Sequence, residues 1–203
     1  MLRARIAVLV SGGGTNLQAL IDAQKGGELQ SGEIALVISD KKDAYALKRA
    51  EDNQIKTMVV SKKELGSQEE FEAAIVSALN RNRIDFIVLA GFMCILSEKF
   101  TARYPKRIIN IHPSLIPSFC GKGFYGLRVH EAALKRGVKI TGATVHFVNE
   151  IPDGGEIIIQ KAVEVQPGDT PEVLQRRVME EAEWKILPAA AELVSERLIS
   201  REI

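Results

Sequence analysis

The amino-acid sequence predicts an α/β fold: a Rossmann-like, mostly parallel twisted sheet with helices on both faces and an antiparallel extension in the C-terminal half. Three observations lead there. Short runs that are apolar throughout, such as "RIAVLV" and "DFIVLAG", alternate with segments of helical period. That alternation belongs to parallel strands buried on both sides. The first apolar run also passes through three glycines directly into a helix. After residue 112 the rhythm changes, and two longer β segments follow one another with only a loop between them.

The elements can be taken in order. "RIAVLVSGG" is a buried strand entering a glycine turn, and "TNLQALIDAQKGG" a helix closed by Gly26 and Gly27. "EIALVISD" is the second strand, followed by the helical "DAYALKRAEDNQ". "KTMVV" is the third strand, and "SQEEFEAAIVSALNRNR" an amphipathic helix capped by Ser67. "DFIVLAG", a short helix in "SEKFTARYP" and the strand "RIINI" complete the alternating part. A Gly/Pro/aromatic loop then leads to the helix "LRVHEAALKRG", the β segments "ITGATVHFV" and "EIIIQKAVEV", and a long helix from about Thr170, interrupted or kinked at Pro188. With no internal repeat and no low-complexity linker, residues 1–203 read as a single domain.

Composition narrows the classes of function. The chain is 46% hydrophobic and 26% charged, with a net charge of +1, so no electrostatic case exists for a nucleic-acid or membrane partner. The apolar run near the N-terminus is too short for a signal segment or a membrane span, and a cytoplasmic location is the expectation. Cys94 and Cys120 make neither a disulfide framework nor a metal cage, and the three histidines have no zinc spacing. No metal is expected.

"SGGGTN", residues 11 to 16, lacks the Lys-Ser/Thr pair of a Walker loop and the third glycine of a dinucleotide fingerprint. Its glycines still let the backbone approach an anion, at which the following helix points its amides. A phosphorylated small molecule suits it better than a dinucleotide, although a plain tight turn would need some of the same glycines.

"IINIHPSLIPSFC" places Asn110 and His112 two residues apart at the end of a strand, hence on one face, where open α/β sheets bind ligands. An imidazole suits proton transfer near neutral pH, and an amide can donate to a developing oxyanion. A carboxylate to accompany the imidazole comes from Glu150 or Asp153 in "NEIPDGG", where Asp153 is equally readable as turn chemistry. His146 shares a strand face with Thr144 and reads as structural; His130 reads as lying in the exposed first half of its helix. Neither cysteine has an adjacent base, and the serines lack a nucleophile elbow. The groups present suit direct transfer of an acyl-type group between two bound substrates.

These residues together resemble the folate-dependent formyltransferases. The stretches that carry the resemblance are "VLVSGGGTNLQAL", "VLAGFMCILS", "INIHPSLIPSF", "GATVHFVNEIPDGGEIIIQ" and "EWKILP", in order from residue 8 to residue 188. The first of them is similar to the branch that formylates 5'-phosphoribosylglycinamide. The resemblance implies 10-formyltetrahydrofolate as co-substrate, without metal or ATP, and small-molecule partners only, on a monomer or homodimer. It implies that Gly14, Thr15 and Asn16 hold the substrate phosphate and Glu183 the ribose hydroxyls. Asn110 would stabilise the oxyanion and also touch the folate, His112 would be the general acid/base, and Asp153 would raise its pKa and order a water. Met93, Cys94, Ile95, Leu96, Val148 and Glu150 would line the folate pocket. Gln68 would also contact the folate, standing where the family commonly carries Arg, with Lys62 or Lys63 as the alternative basic contact. The loop "SFCGKGFYGLRVH" is longer than the usual version, and its Phe119, Lys122, Phe124, Tyr125 and Arg128 either reshape the entrance or pad the surface.

Three rivals stand beside this reading. A formyltransferase acting on methionyl-tRNA would carry a further C-terminal domain and a more basic surface. A formyltetrahydrofolate deformylase would carry an N-terminal regulatory domain, whereas this chain begins on the first strand. A nucleotide-sensing module with no catalysis would have no use for Asn110, His112 and Asp153 as a set.

Overall fold

The computed structural model describes residues 2–201. Its strands are β1 (Ala4–Val10), β2 (Gly32–Ser39), β3 (Thr57–Val59), β4 (Phe86–Leu89), β5 (Ile108–His112), β6 (Ile140–Phe147) and β7 (Ile157–Glu164). They form one sheet in the order β3-β2-β1-β4-β5-β6-β7. The first five run parallel; β5 with β6, and β6 with β7, are antiparallel. The antiparallel extension expected of the second half is present.

The helices are α1 (Thr15–Gly26), α2 (Tyr45–Asp52), α3 (Lys62–Leu65), α4 (Gln68–Arg81), α5 (Glu98–Thr101), α6 (Leu127–Arg136), α7 (Pro171–Val178) and α8 (Trp184–Ile199). They cover both faces of the sheet. In β1, Ile6, Val8 and Val10 pack with Leu17 and Leu20 of α1 and Leu187 and Ala190 of α8, while Ala7 and Leu9 pack with Phe71 and Ile75 of α4. A strand buried on both sides has no use for polar alternation, which is why "RIAVLV" is apolar throughout.

The chain winds outward from β1 through β2 to β3, then returns to place β4 on the other side of β1. Consecutive connections therefore leave β1 and β4 in opposite directions, and a crevice opens at their carboxyl ends. Loops 11–14, 90–97 and 113–126 all emerge on that side.

The last helical segment departs from expectation. α8 continues through Pro188, and the irregularity lies earlier, in a π turn (Met179–Glu183) between α7 and α8. A wide turn of this kind adds one residue to the helix and re-aims the side chains around it. Here it brings Met179 and Glu183 to the crevice while Ile186, Leu187 and Ala190 stay in the core.

Candidate active site

At the carboxyl end of β5, Asn110 and His112 face a cavity of about 670 Å³. Asn16, Met93, Ile95, Asp153 and Glu183 also line it. Pairing fixes what stands beside them: Asn110 lies opposite His146 and His112 opposite Thr144 across the antiparallel ladder. The Thr144 hydroxyl donates to the Ser114 carbonyl at 2.7 Å and accepts from the Ile116 N–H at 3.1 Å, which anchors the loop that follows β5.

The polar cluster has a readable proton arrangement. His146 Nδ1 is 2.8 Å from the Phe147 carbonyl, which can only accept, so Nδ1 carries hydrogen. The Asn110 amide N–H then donates to Nε2 of the same ring at 3.1 Å, fixing the amide's orientation. His112 is 4% exposed and donates from Nε2 to the Phe119 carbonyl at 2.9 Å. Its Nδ1 lies 3.5 Å from Asp153 Oδ2, and Asp153 Oδ1 lies 3.6 Å from His146 Nε2. Asp153 also accepts the Gly121 N–H at 2.8 Å.

Burial alone would raise the Asp153 pKa, but the His146 and His112 rings and the Gly121 N–H outweigh it and bring it below the usual carboxylate value. For His112 the balance goes the other way. Burial lowers its pKa more than the attraction of Asp153 and the Phe119 bond raise it, so the ring titrates below 6.5. Asp153 raises the His112 pKa as expected, but burial outweighs it and the net direction is downward. The imidazole is neutral at pH 7 and free to take a proton.

Glu183 is 6% exposed and accepts from the Asn16 Nδ2 amide at 2.6 Å. Burial raises its pKa, with the Asn16 bond opposing. The two thiols offer no nucleophile. Cys94 is pushed up to about 11 by burial and by Asp40, to which its Sγ donates at 3.4 Å, and Cys120 is raised by burial as well.

Other residues expected at the site lie elsewhere. Thr15 lines a separate hollow with Arg49 and Trp184. Cys94 turns to Asp40, and Leu96 and Val148 pack on the α4 side of the core. Val148 and Glu150 line a depression beside Lys106 and Glu156. Gln68 donates to the Ile95 carbonyl and to Glu72, so it holds the 90–97 loop from behind. Glu72, only 8% exposed, also accepts from the Ser97 N–H and hydroxyl. Lys62 and Lys63 line a third depression with Lys41 and Lys42. His130 is fully buried in α6, not exposed: it shares a face with Val129 and Ala133, and neither ring nitrogen finds a partner among the described residues.

Several contributors were not expected. Gly91, Phe92, Gln175 and Met179 also line the cavity. The long loop after β5, for which reshaping the entrance and padding the surface were both open, is part of the cavity wall through Lys122, Phe124 and Tyr125, and is pinned to the cluster by the Phe119 and Gly121 contacts. Met93 and Ile95 stay 54% and 72% exposed on the opposite side, an apolar rim facing a polar floor. Among the described residues no helix is long and apolar enough to cross a membrane, and no three His, Cys, Asp or Glu side chains are grouped to hold a metal ion.

Comparison with known proteins agrees with this architecture. A family model described as formyl transferase matches residues 4–191. The phosphoribosylglycinamide formyltransferase of Haemophilus influenzae is 45% identical over 184 residues, covering 91% of this chain and 84% of that protein. The human trifunctional purine biosynthetic protein adenosine-3 is 47% identical over 193 residues, but this chain spans only 18% of its length. Among solved structures, glycinamide ribonucleotide transformylase 1 of Symbiobacterium toebii superimposes with a TM-score of 0.89 at 42% identity, over 96% of this chain and 88% of that one. The phosphoribosylglycinamide formyltransferase of Brucella melitensis gives 0.86 at 43% identity, over 95% and 96%. With its sheet order, its crevice and a matched span that runs from β1 into α8, the chain belongs to the formyl transferase family.

Proposed function

We propose that the chain transfers the formyl group of 10-formyltetrahydrofolate to the amine of 5'-phosphoribosylglycinamide. The observation that carries this reading is the grouping of Asn110, His112 and Asp153 in one cavity that Asn16 and Glu183 and the apolar Met93 and Ile95 also line. The phosphate goes to the glycine loop at the start of α1, the ribose hydroxyls to Glu183, and the pterin to the apolar side.

The amine lone pair attacks the formyl carbon and forms the new C–N bond, while the carbonyl π pair moves onto oxygen. The second N–H of the Asn110 amide, not engaged by His146, donates to that oxyanion. His112 Nδ1, the ring nitrogen without a hydrogen bond, takes the proton lost by the attacking nitrogen, directly or through one water. Asp153 at 3.5 Å stabilises the imidazolium so formed. Collapse returns the electron pair to carbon, breaks the bond to the folate nitrogen and delivers the proton there, releasing tetrahydrofolate. Holding both substrates at one floor supplies much of the rate.

The test is loss of the formyl donor when protein, phosphoribosylglycinamide and 10-formyltetrahydrofolate are mixed. Consumption that needs the ribonucleotide and falls about a hundredfold or more in Asn110→Ala and His112→Ala is expected. Consumption without the ribonucleotide would mean deformylation and overturn the reading.

A further inference from the structure

Within the loop between β1 and α1, the carbonyls and amides face opposite ways for a reason that lies outside the loop. The Gly12 carbonyl accepts the Ala46 N–H from α2 at 3.0 Å. The next carbonyl, of Gly13, accepts Nε–H of Arg49 at 2.8 Å. In a trans peptide the C=O and the following N–H point in opposite directions. Turning these two carbonyls toward α2 therefore turns the Gly13 and Gly14 N–H groups away from it. From Gly13 to Leu17, five consecutive backbone N–H groups have no protein acceptor among the described residues. A run of amides at a helix start, all free, is a cradle for an anion.

Arg49 is itself well held. A second guanidinium nitrogen donates to Gln18 Oε1 of α1 at 3.1 Å, and the group lies 5.0 Å from the Tyr45 ring centre. Gly14, at φ 72°, sits so close to α2 that a Cβ there would lie 2.6 Å from Ala46 Cβ. The guanidinium is on the carbonyl side of the loop, so it acts on the anion through the backbone.

We infer that Arg49 is a positioning residue for the substrate phosphate: by holding the Gly13 carbonyl toward α2 it aims the loop amides at the phosphate. The inference rests on the proposed function for the identity of the substrate, but not for the anion site.

The experiment compares wild type with Arg49→Met, which keeps an aliphatic stem beside Gly14 but removes the guanidinium, and Arg49→Lys, which returns a cationic donor. Formyl transfer is measured on the ribonucleotide and on its dephosphorylated glycinamide riboside. In Arg49→Met the KM for the ribonucleotide should rise about tenfold with kcat and the folate KM little changed, so the preference for phosphate falls by the same factor. Arg49→Lys should recover part of it. Equal losses on both substrates, or an unchanged preference, would overturn the inference. A second arm stands apart from turnover: inorganic phosphate should raise the melting temperature of wild type and, at equal concentration, distinctly less that of Arg49→Met. Equal shifts, or no shift in either protein, would also overturn it. A wild type that binds phosphate this way but moves no formyl group would sink the proposed function alone.

Discussion

Lowering the pH should destabilise this fold mainly through His130. The ring is fully buried in α6, and burial, with repulsion from His112 as the lesser cause, pushes its pKa down to about 4 from 6.5. Above about pH 6.5 neither the folded nor the unfolded chain binds the proton, and the residue has no pH-linked effect. Between 6.5 and 4 the unfolded chain is protonated and the folded one is not, so stability is lost as the pH drops. Each unit of separation is worth about 1.4 kcal/mol, which sets a ceiling of about 3.4 kcal/mol, of which about 2.5 kcal/mol is expressed at pH 4.5. The perturbation is His130→Leu, of similar volume and without a titrating ring. Urea unfolding, followed by fluorescence of the single Trp184, gives the stability of both proteins at pH 7 and pH 4.5. Wild type should lose about 2.5 kcal/mol more than the variant over that interval. Equal losses would refute the reasoning and put the acid sensitivity elsewhere.

Four further outcomes are expected. The acid limb of kcat/KM should have its midpoint below pH 6.5, because burial lowers the His112 pKa; Asp153→Asn should move it further down and cut the rate about tenfold or more, which a pH–rate profile checks. Ser97→Ala removes the cap of α5 and a hydroxyl donor to buried Glu72, and should cost roughly 1–3 kcal/mol in urea unfolding while raising the KM for the folate. Gly142→Ala would put a Cβ 2.0 Å from the Lys161 carbonyl oxygen and should destabilise the β6–β7 pairing by about 1–3 kcal/mol, read from the same unfolding curve. Glu183→Gln should raise the KM for the ribonucleotide about tenfold with little loss of stability, since the amide can still accept from Asn16 and a buried charge is gone; titration calorimetry with the ribonucleotide checks the binding part.

The parallel half of the sheet was legible because its strands are buried on both faces, and such strands announce themselves as unbroken apolar runs. Asn110 and His112 were legible for a related reason: a two-residue spacing at a strand end fixes a shared face before any tertiary structure is known. Asp153 was half legible, since the letters around it describe a turn equally well and its approach to His112 depends on a distant loop. The role of His146 beside Asn110 is set by the register of β5 against β6, which local pattern does not contain. His130 was misread because a polar letter was taken for an exposed position, although Val129 and Ala133 put it on the inward face. Leu96, Val148 and Glu150 follow in sequence from residues that do reach the cavity or the cluster, but irregular backbone gives neighbours no common direction. Pro188 drew attention to the wrong turn of the helix, because proline has a sequence signature for disruption and a π turn has none.

That π turn also constrains how the chain can change length. An α-helix advances about 100° per residue, and the wide turn at Met179–Glu183 takes up one residue more than an α turn, so the sequence gains a residue there while α7 and α8 keep nearly the same phase. Removing one residue there would leave a regular α-helix with the stripe of Ile186, Leu187, Ala190, Ala191 and Val194 still facing the core, but without the wide turn that carries Glu183 into the crevice. A single-residue deletion in this stretch therefore separates the two: α8 keeps its seat on the sheet, while Glu183 loses its reach to Asn16 and the crevice.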